Sequence, residues 1–143
     1  MQIELKDEQD TADFAKKFYE SLKGGEAIGL LGQLGAGKTT FVRYFAKAAG
    51  VPVEQVSSPS FVLGHEYEGE KFIIDHWDIY RLFEEPEELL EPPAKNTIRL
   101  NEWADKSEEL MKSLDIIIKI GFKDLKNYPT VRSISFFYTK EGE

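Results

Sequence analysis

The spacing of apolar positions changes several times along the chain, and each change marks an element. Residues 2–5 alternate polar and apolar, as a short strand does. From Asp7 or Asp10, either of which can cap a helix, the period lengthens. Ala15, Phe18, Tyr19 and Leu22 then recur at i, i+3, i+4 and i+7, predicting a helix to about residue 22. Gly24-Gly25 end it. Ala27-Ile28-Gly29-Leu30-Leu31 is apolar without alternation, the pattern of a strand buried on both faces. Phe41, Val42, Phe45, Ala46 and Ala49 return to helical spacing until Gly50 and Pro52 stop it.

The second half is richer in strands. Residues 61–67 and 71–79 predict a hairpin joined at Gly69-Glu70. Residues 84–91 predict a short acidic helix with a proline near its start, broken by Pro92-Pro93. A strand is expected from 97 to 103, a helix from 107 to about 114, a strand over 116–120, and a last strand over 131–138 after an Asn127-Tyr128-Pro129 turn. Strands and helices mostly alternate, while the hairpin and the strand-rich end predict a mixed sheet. At 143 residues, one domain is expected.

Between the buried strand and the second helix lies Gly32-Gln33-Leu34-Gly35-Ala36-Gly37-Lys38-Thr39, which fits G-x-x-x-x-G-K-S/T, a loop that wraps nucleotide phosphates with backbone N–H groups. Gly32, Gly35 and Gly37 allow the backbone to approach phosphate oxygens with no Cβ in the way. Leu34, Gly35, Ala36 and Gly37 supply amides, and the free N–H groups opening the helix favour a polyanion. Lys38 brings a compact cation to the β- and γ-phosphates. The Thr39 hydroxyl suits a Mg²⁺ bridging them, and Thr40 is a second hydroxyl in the same turn. A nucleoside triphosphate is the expected ligand.

Composition narrows the remaining chemistry. With no cysteine there is no disulfide, thiolate metal site or thiol nucleophile, and two histidines are too few for a histidine-based metal centre. The formal charge of −8 disfavours direct steering toward nucleic acid, so DNA is not an expected partner and any nucleic acid would be held by another protein. Neither a signal peptide nor a membrane-length apolar run is seen, and a cytoplasmic location is expected.

Hydrolysis needs an acid near the metal and a group that orients water. Asp78 and Glu102 close apolar strands, where ligands of open α/β sheets gather. Asp75 rivals Asp78, and spacing alone does not separate them. Ser57 to Phe61, small hydroxyl residues around a proline, suit a segment that responds to the γ-phosphate, but the residues alone favour an ordinary turn leading into a strand.

Four blocks in order carry a family resemblance: Gly-Gln-Leu-Gly-Ala-Gly-Lys-Thr-Thr-Phe (32–41), Ser-Pro-Ser-Phe (58–61), His-Trp-Asp-Ile-Tyr-Arg-Leu (76–82) and Glu-Trp (102–103). Together they resemble the TsaE (formerly YjeE) family, bacterial ATPases of tRNA threonylcarbamoyladenosine modification. The resemblance implies a three-layer P-loop NTPase-like α/β fold, its parallel core flanked by antiparallel strands. It also implies a Mg²⁺-dependent ATPase, weak alone, that works with TsaB and TsaD and meets tRNA only through them. By motif, Lys38 and Thr39 match phosphate and Mg²⁺ ligands, and Asp78 and Glu102 match the acids around the metal. Trp103 would lie near the nucleotide, and Glu8, from Asp7-Glu8, near the base. Ser58 to Phe61 match a switch-like loop, and His76, Tyr80 and Arg81 a second element. Position 60 is serine where the family usually has threonine, and Leu90-Glu91-Pro92-Pro93 replaces a longer glycine-containing segment. The alternative is a small-molecule or nucleoside kinase, which would need lid arginines; Arg43, Arg81, Arg99 and Arg132 are not clustered as a lid. A third reading is a nucleotide-binding module that does not hydrolyse.

Overall fold

The computed structural model describes residues 2–33, 36–56, 64–79 and 86–139. Seven strands form one sheet: β1 (Gln2–Leu5), β2 (Ala27–Leu31), β3 (Gly64–Glu68), β4 (Ile73–Asp78), β5 (Thr97–Glu102), β6 (Ile116–Asp124) and β7 (Tyr128–Tyr138). Their spatial order is β1-β7-β6-β2-β5-β4-β3. The four central strands, β6, β2, β5 and β4, run parallel. Antiparallel β3 closes one edge, and β7 with β1 the other.

Side-chain parity decides what lies on each face. Ile28 and Leu30 of β2 join Ile98 and Leu100 of β5 in the core beneath α1 (Glu8–Glu20) and α2 (Lys38–Ala48). Phenylalanines dominate that layer: Phe14 and Phe18 of α1 meet Phe41 of α2 with ring centroids 6.0 and 6.2 Å apart. Ala27 and Leu31 point the other way, to Leu110 of α3 (Glu108–Ser113) and to Leu114. Both faces of β2 are therefore covered, which is why its sequence does not alternate.

Local chemistry sets the helix ends. Asp7, rather than Asp10, caps α1 by accepting from the Asp10 amide at 2.9 Å, and Asp10 accepts from the Lys6 amide at 2.8 Å. Ser107 caps α3 through the Leu110 amide at 3.0 Å. Gly50, at φ 93°, follows the end of α2.

Two expectations need correction. The acidic helix over 84–91 is a 3₁₀ turn, Glu87–Leu90, with extended backbone at Pro86 and Glu91 on either side. Its one buried residue, Leu89, is held in the α3 layer, and the two prolines that follow leave no donors to continue a helix. The expected ends at 84 and 85 lie outside the described residues. The turn placed at 127–129 lies instead at 125–127, where the Asp124 carboxylate accepts from the Asn127 amide at 3.1 Å and its side chain at 2.9 Å. Pro129 is inside β7, beyond the stretch 132–135 that pairs with β1, so its missing donor breaks no bond to β1.

Candidate active site

The chain leaves β2 through Gly32, where backbone packing admits only glycine. A Cβ there would stand 2.3 Å from the Ile120 carbonyl oxygen of β6. The loop returns through Ala36, which is buried, to Gly37, the cap of α2, at φ 108°. Leu34 and Gly35 lie outside the described residues, as do Ser58 to Phe61, Tyr80 and Arg81. Thr39 and Thr40 follow Lys38 in the first turn of α2 and are partly exposed.

Lys38 is 6% exposed. Its ammonium donates to the Gly32 carbonyl and lies 3.5 Å from the ring centroid of Trp103. Burial draws its pKa below the ordinary lysine value, while the negative charges of Glu102, Asp78 and Asp105 pull the other way. Three acids thus face one desolvated cation.

Two of those acids arrive by strand register. Ile74, His76 and Asp78 alternate onto the α2 side of β4, and Leu100 and Glu102 onto the same side of β5; Asp78 and Glu102 are direct register partners in the parallel pair. Glu102 is also the partner of Leu30, two residues before Gly32. Asp78 is 8% exposed and Glu102 3%. One Glu102 oxygen, Oε2, lies 2.6 Å from Nε2 of His76, a fully buried ring.

The same alternation turns Asp75 to the opposite face. There it accepts from Arg99 Nε at 3.0 Å and from the Trp77 indole at 2.7 Å. Asp78 therefore faces Lys38, and Asp75 does not.

Trp103 follows Glu102 with φ 64°, a left-handed conformation that bulky residues rarely adopt. Its amide donates to the Leu30 carbonyl at 3.2 Å, and its indole covers Lys38. Glu8 lies on the other border of the loop. A cleft of about 160 Å³ is lined by Glu8, Thr11, Ala36, Gly37, Thr40 and Arg132 among others, so the start of α1 and the glycine loop share one opening. Neither this cleft nor two wider ones, of about 510 and 570 Å³, is lined by Lys38, Asp78 or Glu102.

Sequence reasoning misses Arg132 and Asp105. Arg132, on β7, donates from Nε to the Ala36 carbonyl at 3.1 Å and from Nη1 to the Pro129 carbonyl at 2.5 Å. Its guanidinium stands 4.1 Å from the Phe122 ring centroid. No local pattern announces this pairing, since Arg132 and Ala36 meet only once β7 has docked on β6. Arg132→Met is expected to speed amide hydrogen exchange at Gly37 and Lys38 by about tenfold or more, the loss of one charge-assisted hydrogen bond of roughly 1.5–3 kcal/mol. Exchange rates equal to the parent's would show that Arg132 does not hold the loop.

A buried parallel strand, a glycine loop and a helix opening on lysine, set in a three-layer mixed sheet, define the P-loop NTPase-like class of α/β folds. The family model described as "Threonylcarbamoyl adenosine biosynthesis protein TsaE" matches residues 5–132. The chain is 41% identical over 124 residues to the tRNA threonylcarbamoyladenosine biosynthesis protein TsaE of Aquifex aeolicus, covering 86% of this chain and 88% of the relative. It is 34% identical over 134 residues to the protein of the same name from Rickettsia prowazekii, covering 91% of each. The crystal structure of Bacillus subtilis YdiB superposes with a TM-score of 0.72 at 26% identity, over 98% of this chain and 86% of that one. The chain belongs to the TsaE family. Among the described residues, no helix is long and apolar enough to cross a membrane.

Proposed function

We propose that this chain is a Mg²⁺-dependent ATPase, slow by itself, whose hydrolysis acts on a TsaB–TsaD complex in forming tRNA threonylcarbamoyladenosine. The observation that carries the reading is the convergence of Lys38, Asp78 and Glu102 at one end of the parallel sheet, beside the first turn of α2. Membership of the TsaE family supports the tRNA-modification setting.

The donor set suits the metal. Asp78 and Glu102 are buried carboxylates, and Thr39 adds a hydroxyl, so every candidate ligand is a hard oxygen of the kind Mg²⁺ takes. Thr39, Asp78 and Glu102 would hold it, directly or through water. The chemistry the ion would supply when bound is neutralisation of phosphate charge. The chain's own residues do the rest. Lys38 would exchange the Gly32 carbonyl for phosphate oxygens, and the amides of Ala36 and Gly37, with the Thr40 hydroxyl, would line the phosphates. Glu102 orients the attacking water, the Glu8 cleft takes part of the nucleoside, and Trp103 forms the wall over Lys38.

With a charge of −8, this chain is poorly suited to hold tRNA itself, and a partner carries the polymer. A kinase would turn arginines onto the transferring phosphoryl group. Arg99 is instead committed to Asp75 on the far face, and Arg132 to the Ala36 carbonyl.

Phosphate release by the full chain, alone and with TsaB and TsaD added, tests this reading. Turnover alone should fall well below the enzyme median of about 10 s⁻¹, and the two partners together should raise it about tenfold or more. A rate indifferent to both proteins, or transfer of the phosphoryl group to a small molecule in place of phosphate release, would overturn it.

A further inference from the structure

Besides Asp78, three neighbouring strands place a connected line of polar side chains on the α2 side of the sheet, beside a mostly apolar layer. His65 and Tyr67 come from β3, His76 from β4 and Glu102 from β5. His65 and His76 are direct register partners, and Tyr67 and Glu102 sit diagonally from His76 on either side. Nδ1 of His65 lies 3.2 Å from the Tyr67 hydroxyl, that hydroxyl 3.3 Å from Nδ1 of His76, and Nε2 of His76 2.6 Å from Glu102 Oε2. Tyr67 is 5% exposed and His76 not at all.

The donors and acceptors on this path admit one ordering when the His76 ring is neutral. An ionised carboxylate only accepts, so the hydrogen on His76 is on Nε2, aimed at Glu102. Nδ1 is then an acceptor, and the Tyr67 hydroxyl donates to it. The Tyr67 oxygen in turn accepts from Nδ1–H of His65. Each hydrogen is used once, and all point toward Glu102.

We propose that His76, locked by Tyr67, is a positioning residue that holds Oε2 of Glu102 and so leaves the other oxygen, Oε1, to serve the metal and the attacking water. The surroundings of Glu102 explain why it needs holding. Its side chain turns about several single bonds, and its charge acts on the buried ammonium of Lys38. Left alone, it would swing into an ion pair with Lys38, and both groups would be lost to the nucleotide. The short bond to His76 opposes that swing. It also gives a task to the histidine of the His76-Trp77-Asp78 string, which the phosphate chemistry does not use. The role of Glu102 here rests on the ATPase reading, but the positioning itself does not require nucleotide.

The test has two parts. In the nucleotide-free full chain, ¹⁵N and ¹H NMR of the histidine rings should show His76 with its hydrogen on Nε2 and that proton far downfield. Glu102→Gln should move the proton upfield, whereas Tyr67→Phe, which leaves the carboxylate in place, should keep the hydrogen on Nε2. In turnover, His76→Ala should lower kcat by about 10–100-fold, the usual cost of losing the partner that orients a metal ligand. His76→Gln, whose amide can still donate toward Glu102, should recover most of that loss. His76→Ala combined with Glu102→Gln should be no slower than Glu102→Gln alone, because both act through one group. A histidine merely filling the core would give additive losses and no rescue by glutamine.

A ring carrying its hydrogen on Nδ1, or a downfield proton indifferent to Glu102→Gln, overturns the positioning whatever the chain does with ATP. Additive losses in a hydrolysing parent overturn it as well. If the NMR signature is present and the parent hydrolyses no ATP even with its partners, the positioning of Glu102 stands and the ATPase reading falls.

Discussion

Lys38→Met is expected to lower ATP turnover by about a hundredfold or more, the scale on which a positioned charge stabilises a transition state, while unfolding no earlier than the parent. The first half follows from its place at the opening of α2, facing the two strand-end acids. The second follows from its burial. Lysine held below its ordinary pKa is bound to its proton less tightly in the folded chain than in the unfolded one. That group therefore adds most to stability above the unfolded lysine value of about 10.4, and its contribution falls as pH drops from there through the lowered folded value. Near pH 7 the desolvated ammonium is a net cost, which methionine removes while its stem keeps contact with Trp103. Phosphate-release assays and chemical denaturation check the two halves separately. Undiminished turnover would remove Lys38 from the chemistry. A large fall in the denaturation midpoint would show that its hydrogen bond to Gly32 outweighs the burial cost.

Glu102→Gln carries the second large effect. The amide has nearly the same shape and can still receive a hydrogen bond from His76, but it lacks the charge that a metal and an attacking water require. Turnover under saturating Mg-ATP is expected to fall by about a hundredfold or more, on the order seen when one preorganised electrostatic group is removed. Nucleotide affinity should change far less, because Lys38 and the loop amides are untouched. Asp75→Asn, on the opposite face and paired with Arg99, should leave turnover within about twofold. Single-turnover hydrolysis separates these outcomes. Equal losses for Glu102→Gln and Asp75→Asn would mean that face parity on β4 and β5 does not define the site.

Much of this arrangement is legible in the residues themselves. The unbroken apolar run at 27–31 announces a strand covered on both faces, and the glycines before Lys38 announce the turn from that strand into α2. The helical stripe ahead of Gly24-Gly25 and the strand ending at Glu102 fall where the periodicity puts them. Spacing does not separate Asp75 from Asp78 because β4 carries polar groups on both faces, and only pairing with β5 shows which side meets Lys38. His65 and Tyr67 give no signal for a related reason. A polar pair two apart reads as the solvated side of an edge strand, and only β4 and the core beneath it show that Tyr67 is buried. Arg132 depends on a contact between residues far apart in the chain. The 3₁₀ turn at Glu87–Leu90 reads as a helix because acidic, proline-led stretches suit a first helical turn whether or not a second follows.

Whether this loop takes Mg-ATP is tested most directly by calorimetric titration of the full chain with Mg-ATP, with Lys38→Met titrated alongside. A single saturable site in the parent, dependent on Mg²⁺, is expected, together with its loss in the variant. Identical isotherms from the two proteins, or no heat of binding from the parent, would contradict it.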